Sequence, residues 1–353
     1  MTRTLSSFTI KCAASDTRLA APWPDFGVEQ RLAFEGDIIL VEVLDASGAY
    51  SDVENLDGRS EQLYPGDLFI AVLGNRESLR YLSGHIPEGG IDLSDSTDLR
   101  LLSNGGIVSL ADPSPAYLGD SLRLRAAGVL VDGDVSVNSI ARARAASPLP
   151  EAKYAPMVLV GASATDSGKT TLASNLIASF TRMGLGVASA KLAGTGCLED
   201  VLAHKDAGAR WVLDFPDVGL PSTYTSPANY EPAVRDLLTQ LASKKPDVVV
   251  AELGGDILWA NIPTLLGMED IMRSVISFIA IPSDVLAAMG MRSLFEQLGV
   301  TAPVTWAIPP HRNPITYRAR LDAYAFGTSI DVRSLGEIDQ LAIELAAVVI
   351  GAE

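Results

Sequence analysis

Residues 158–171 read Val158-Leu159-Val160-Gly161-Ala162-Ser163-Ala164-Thr165-Asp166-Ser167-Gly168-Lys169-Thr170-Thr171. An apolar run enters a loop of small residues, which ends in Gly-Lys-Thr-Thr at the head of an amphipathic stretch. Leu172, Leu176, Phe180 and Met183 then recur at spacings of 4, 4 and 3, which predicts a helix over 169–183. Each part suits a phosphate loop. Small residues let backbone N–H groups turn inward around phosphate oxygens, and the helix N-terminus adds its positive end. In such a loop Lys169 reaches the β and γ phosphates and the Thr170 hydroxyl ligates Mg2+. The predicted cofactor-binding set is Thr165, Asp166, Ser167, Gly168, Lys169, Thr170 and Thr171. The usual spacing places a glycine at 163, where this chain has Ser163. The nearest earlier glycine is Gly161, so the loop is longer than usual.

Working outward, short apolar runs alternate with helical periodicity on the C-terminal side. Strands are predicted at 157–160, 187–190, 212–215, 248–251, 275–281 and 304–308. Helical stretches fall near 231–243, 284–298 and 335–350. This alternation implies a parallel sheet with helices on both faces. Ligands of such sheets sit at the carboxyl ends of the strands, so the residues leaving each strand carry most information. Lys191 leaves the second strand into Gly194-Thr195-Gly196, a turn suited to another anionic group. Glu252 leaves the 248–251 strand into Gly254-Gly255 and would serve as a second Mg2+ anchor. Asp214 or Asp217 would complete the metal site, and Ser222 and Thr223 would hydrogen-bond a substrate.

The N-terminal side reads differently. Glu35-Gly36-Asp37 precedes the apolar run 38–44, and Pro65-Gly66-Asp67 precedes 68–73. Both are Gly-Asp turns entering strands of a small barrel or sandwich. Further turn signals and short apolar runs at 106–110 and 127–131 predict a small, mostly-β domain. A short helical stretch at 140–146 and the proline-interrupted residues 147–150 mark a junction. The domain division is therefore 1–150, a substrate or lid domain, and 151–353, an α/β domain. Arg76 and Arg80 would bind a substrate carboxylate or simply belong to a surface turn.

Composition narrows the partners. The 353 residues include 27 Lys plus Arg against 43 Asp plus Glu, a net charge of −16. Residues 1–150 carry 12 basic and 21 acidic side chains, and 151–353 carry 15 and 22, so neither half hides a basic module. This argues against nucleic acid or an anionic membrane as partner. Only two cysteines occur, Cys12 and Cys197, too few for a disulfide scaffold or a Cys-rich metal site. Without an apolar leader or a run of about 18 apolar residues, a cytoplasmic location is expected. His85, His204 and His311 are scattered and read as surface or core residues rather than catalysts.

Taken together, these motifs resemble the dethiobiotin synthetase-like, SIMIBI-type branch of P-loop NTPases. That branch has a lengthened loop ending in Gly-Lys-Thr. It also has a strand end Lys-Pro-Val-x-Thr-Gly, here Lys191 to Gly196 with Leu192-Ala193 in place of Pro-Val. A third motif, Glu-Gly-Ala-Gly-Gly, corresponds to Glu252 to Gly255, one residue shorter. The resemblance covers about 157–310 and implies a parallel-sheet P-loop NTPase domain preceded by a small mostly-β domain. It implies ATP and Mg2+ as cofactors and activation of a small carboxylate or amine, as in a C–N ligase or small-molecule phosphotransferase. Lys169 and Lys191 would then be catalytic, holding phosphates and developing charge. Thr170, Glu252 and Asp214 (or Asp217) would hold the metal. Gly194, Thr195, Ser222 and Thr223 would meet the substrate, and Asn313 would contact adenine. Partners would be a nucleotide, a small molecule and a second copy of the chain in a dimer. Motor and partitioning ATPases of the branch carry a signature lysine where this chain has Ala164. The C-terminal region is also similar to a fused group associated with N-acetylation of D-glutamate. That likeness keeps open a CoA-dependent N-acyltransferase using the loop for the CoA diphosphate. An NTP-gated regulator is the third reading; a metal-delivery protein would want a Cys- or His-rich tract, which is absent here.

Overall fold

The computed structural model describes residues 3–21, 23–45, 47–94, 98–146 and 153–351. The proline-rich junction read at 147–150 lies outside them. The chain divides into two compact units. Unit 1 comprises Met1–Pro148, Thr195–Glu199 and Phe215–Ala233, and unit 2 comprises Leu149–Gly194, Asp200–Asp214 and Val234–Glu353.

Unit 1 is built on β1 (Gly27–Glu29), β2 (Ile38–Asp45), β3 (Leu68–Leu73), β4 (Leu99–Leu101), β5 (Ile107–Ala111), β6 (Arg123–Asp132) and the short helix α1 (Ser139–Ala145). The pairing closes on itself. β2 pairs with β3, β3 with β5, β5 with β4, β4 with β6, and β6 with β2. The sequence left barrel and sandwich open, and this ring makes it a barrel. Closure removes exposed edges, and because Leu5, Ala20, Phe26 and Val137 cover one face of these strands, successive side chains alternate between two buried clusters. Ile39, Val41 and Val43 pack with Phe69, Ala71 and Leu124, whereas Ile38 and Leu40 join Ile70, Val72 and Leu130 in a second cluster. Burial on both faces is why these strands read as continuous apolar runs.

The two Gly-Asp turns share one geometry. Gly36 and Gly66 adopt φ of +85° and +89°. The carboxylates of Asp37 and Asp67 accept the amides of Phe34 and Tyr64, each at 2.8 Å. The backbone N–H of each Asp also donates back to the carbonyl three residues earlier. The two Gly-Asp turns are thus one local turn used twice, in which the Asp side chain accepts a backbone amide of its own turn.

Unit 2 contains β7 (Met157–Ala162), α2 (Lys169–Arg182), β8 (Val187–Ala193), α3 (Leu198–Asp206, whose first two residues count with unit 1), β9 (Trp211–Asp214), α4 (Pro227–Ala242, shared between the units), β10 (Val248–Leu253), β11 (Val275–Ile281), α5 (Val285–Gln297), β12 (Val304–Ile308), α6 (Pro314–Ala323), β13 (Ser329–Asp331) and α7 (Leu335–Gly351). The sheet order is β9-β8-β10-β7-β11-β12-β13, every pair parallel. This is a parallel α/β sheet, with the strand that runs into the 163–168 loop at its centre and the Glu252 strand beside it. Helix α2 buries Leu172, Ala173, Leu176, Ile177 and Phe180 against the sheet and against Ile338, Ala342 and Leu345 of α7. Full burial of one such side chain stabilises by about 1.5–3 kcal/mol.

Some predicted boundaries moved. The strand predicted at 212–215 is Trp211–Asp214, and Phe215 opens a 3-10 turn instead. Helices α3 and α6 and strand β13 went unpredicted. Among the described residues no helix is long and apolar enough to cross a membrane.

Candidate functional site

The loop between β7 and α2 is shaped by two left-handed residues, Asp166 at φ +56° and Gly168 at φ +88°. Gly168 is also the N-cap of α2, with Pro310 Cδ 3.1 Å from where a Cβ would stand. The positive φ favours glycine there, and the space beside it is tight. Gly161, which the sequence suggested as the loop's first glycine, lies inside β7. A Cβ at that position would approach Phe278 to 2.8 Å, so its role is packing. The loop proper begins after Ala162. The amides of Lys169, Thr170 and Thr171 precede the first intrahelical bond, which Leu172 donates to the Gly168 carbonyl at 3.0 Å, so they point out of the helix as at any helix start.

Lys169 is buried, and its ammonium donates to the carbonyls of Ala164 and Gly255, each at 3.1 Å. Burial pushes its pKa below the usual lysine value, against the opposing pull of Glu252 and Asp200. Ser163 accepts the Ser283 amide at 2.8 Å, and the Ile257 amide donates to Ala162. These contacts bring the exits of β7, β10 and β11 together.

Thr170 carries the most informative contact. Its hydroxyl oxygen lies 3.0 Å from Asp200 Oδ1 and 3.0 Å from Glu252 Oε1. A hydroxyl has one proton and can donate to one of them at a time. The second contact sets oxygen against oxygen, a local deficit of positive charge. The other Glu252 oxygen is buried and has no hydrogen-bond partner. A hydroxyl and two carboxylates are hard oxygen donors, and Mg2+ accepts one or two carboxylates with phosphate and water completing its shell. The residues present therefore fit that ion.

Asp200 also pairs with Lys191, Oδ2 to Nζ at 2.5 Å, with Lys191 only 6% exposed. Burial raises the Asp200 pKa, but Lys191, Thr170 and His204 outweigh it and leave the carboxyl below its ordinary value. Beneath Glu252 lies His204, fully buried on α3. Its Nδ1 is 2.8 Å from the Ser189 hydroxyl, and its Nε2 is 3.4 Å from Glu252 Oε2, close enough to attract but not aligned as a hydrogen bond. Gly194, at φ +115°, meets Gly254 backbone to backbone, where a Cβ would come within 3.1 Å of Gly254 Cα. Together these two glycines let the exits of β8 and β10 approach beside Lys191.

The other predicted site residues fall as follows. Lys191, Asp214 and Glu252 stand in register across β9, β8 and β10, and Asp214 is fully buried. Asp217 belongs to unit 1, where its carboxylate takes the Arg18 guanidinium at 2.6 Å. The carboxylate that meets Thr170 beside Glu252 is that of Asp200. Thr195, Ser222 and Thr223 also belong to unit 1. Ser222 and Thr223 are fully buried, and the Ser222 hydroxyl donates to the Asn75 carbonyl at 2.5 Å. Thr165 and Asp166 form the turn of the loop, Ser167 is buried with its hydroxyl on the Ala164 carbonyl, and Thr171 is exposed. Asn313 caps α6 by accepting the Thr316 amide at 3.1 Å. Arg76 is buried, donating to the Leu102 carbonyl and the Tyr50 hydroxyl, which makes it a structural post. Sequence reasoning missed Asp200 and Ser189 and gave His204 no role. The available signal was Asp200 and His204 at i and i+4, one face of a helix.

No protein-family model matches this sequence, and no curated protein does. Among solved structures, the chain is similar to the signal recognition particle 54 kDa protein from Aeropyrum pernix K1 in complex with GDP, at 19% identity and a TM-score of 0.36, covering 61% of this chain and 51% of that one. It is similar to the signal recognition particle receptor FtsY from Elizabethkingia anophelis in complex with GDP, at 15% identity and 0.30, covering 45% and 50%. HypB from Helicobacter pylori in complex with nickel matches at 13% and 0.30, covering 57% and 89%. The chain thus spans about half the length of the signal recognition structures it matches.

Proposed function

We propose that unit 2 binds a nucleoside triphosphate, ATP by the family resemblance, together with Mg2+, and that the protein uses it to activate a small carboxylate or amine by phosphoryl transfer. The observation that carries this reading is the Thr170 hydroxyl held between Asp200 and Glu252 at the head of the phosphate-loop helix. Thr170, Glu252 and Asp200 would hold the metal. Bound Mg2+ would neutralise charge on the phosphate oxygens.

The rest is done by the chain. The amides at the start of α2 and the loop residues 165–171 would bind the phosphates. Lys169 would exchange its two backbone carbonyls for phosphate oxygens. Lys191, oriented by Asp200, would offset charge that develops on the transferred group; such positioning and charge stabilisation are most of what phosphoryl transfer asks of a protein. Gly194 would line the acceptor side. Residues 1–150 would contribute substrate recognition or a lid, with 151–353 as the nucleotide part.

A CoA-dependent N-acyltransferase using the same loop for a diphosphate would leave the paired carboxylates on Thr170 without a use, which favours the nucleotide reading. The test is ADP release from Mg-ATP measured with and without panels of small carboxylates and amines. Acceptor-dependent release supports the proposal. Slow release that no acceptor changes points to an NTP-gated regulator, and binding of acetyl-CoA in place of Mg-ATP points to the acyltransferase.

A further inference from the structure

Unit 1 contains a cavity of about 610 Å3, within the range that holds a small organic ligand. Its polar wall is built around Glu35. Asn75 donates to Oε1 at 3.2 Å, while Thr225 and Asn229 donate to Oε2 at 2.9 and 3.5 Å. All three donors are neutral, and among the described residues no cation pairs with this carboxylate. Burial pushes its pKa up, with the three hydrogen bonds opposing. Glu35 is half-buried, and a carboxylate partly withdrawn from water and held by neutral donors alone is an incompletely compensated negative charge. At the exposed rim stands Glu88, a second acidic side chain.

The lining does contain one cation, Arg144, but it is turned elsewhere. Pro232 lies inside α4 and has no N–H for the carbonyl four residues back. That carbonyl, Ala228, instead accepts Arg144 Nη2 at 2.9 Å, and Asn229 Oδ1 accepts the same nitrogen at 2.7 Å. The guanidinium thereby repairs the helix and leaves Glu35 unbalanced. Beside the carboxylate the wall is apolar, formed by Phe34, Ile86, Pro87 and Ile140. Phe34 remains 46% exposed.

We propose that this cavity binds a small organic cation, a protonated alkylamine, whose ammonium pairs with Glu35 and whose hydrocarbon body lies on Phe34, Ile86 and Pro87. The site lies wholly in unit 1 and stands whether or not unit 2 binds nucleotide.

The test is saturation-transfer NMR and calorimetric titration of the full chain, without nucleotide, using n-butylammonium, 1-butanol and butyrate. The expected result is saturable binding of butylammonium, at least tenfold tighter than the alcohol or the acid. Glu35→Gln should weaken the amine at least tenfold. Ala141→Trp, at an exposed position on α1 that lines the cavity, should abolish binding by filling it, and it decides the matter if Glu35→Gln does not fold. Equal binding of 1-butanol, preference for butyrate, or amine binding that survives Ala141→Trp would overturn the proposal.

Discussion

Lys191 and Asp200 form an ion pair at 2.5 Å in which the lysine side chain is 6% exposed and the aspartate 22%. The pair joins the end of β8 to the first turn of α3. Removing one partner strands a buried charge, which costs about 3–5 kcal/mol, toward the lower end here because Asp200 keeps some water. Asp200→Asn is therefore expected to lower the free energy of unfolding by ~3 kcal/mol in urea titrations. The comparison is Asp339→Asn, which removes an exposed pair with Arg182, at 46% and 62% exposure. That loss is expected to be far smaller, because water screens an exposed pair. Equal losses at the two sites would contradict this account of the pair.

Ser189 holds the buried His204 ring by a hydrogen bond, and the other ring nitrogen lies 3.4 Å from Glu252, a carboxylate proposed to hold the metal. Ser189→Ala leaves a buried imidazole nitrogen without its partner and is expected to cost about 1–3 kcal/mol. A purely structural role ends there. A positioning role predicts more: His204→Gln should raise the Mg2+ concentration needed for half-maximal nucleotide binding severalfold, while the unfolding midpoint moves little further than in Ser189→Ala. An unchanged Mg2+ midpoint would make His204 a core residue only.

The pH response of unit 1 has a defined sign. Burial raises the Glu35 and Asp37 carboxyls above their ordinary values of 4.5 and 3.8. The folded state therefore holds these protons more tightly than the unfolded chain. Their contribution is fully present below those ordinary values and is lost as pH rises through the folded ones, with a slope of at most ~1.4 kcal/mol per pH unit for each proton. Glu35→Gln should remove its share of that slope, read as the change in urea midpoint from pH 4 upward. A slope identical to wild type would show that Glu35 titrates alike in both states.

The features legible in the sequence were those set by local pattern. Leu172, Leu176 and Phe180 at helical spacing announced α2. The continuous apolar run from Ile38 was correctly assigned as a strand, though its two buried faces emerged only with the closed barrel. The Gly-Asp turns were visible because the side chain and the positive φ are both local. What failed was non-local. Gly161 looked like a loop residue, since nothing in the sequence brings Phe278 against it. Asp200 sits in a helix of weak apolar pattern, so no periodicity drew attention to it. Asp217 and Asp214 are equally plausible in sequence, yet the chain turns at Phe215 and gives Asp217 to Arg18. The cavity around Glu35 gathers residues from five separated stretches and had no sequence signature at all.

The central claim is that Lys169 and its loop hold the phosphates of a metal-bound nucleotide. The direct measurement is calorimetric titration of Mg-ATP into the wild-type chain and Lys169→Ala, each with and without EDTA, after circular dichroism has shown that the variant is folded. The account predicts Mg2+-dependent binding to the wild type and a loss of at least a hundredfold in the variant, about 3 kcal/mol. Wild-type affinity retained by Lys169→Ala would contradict it.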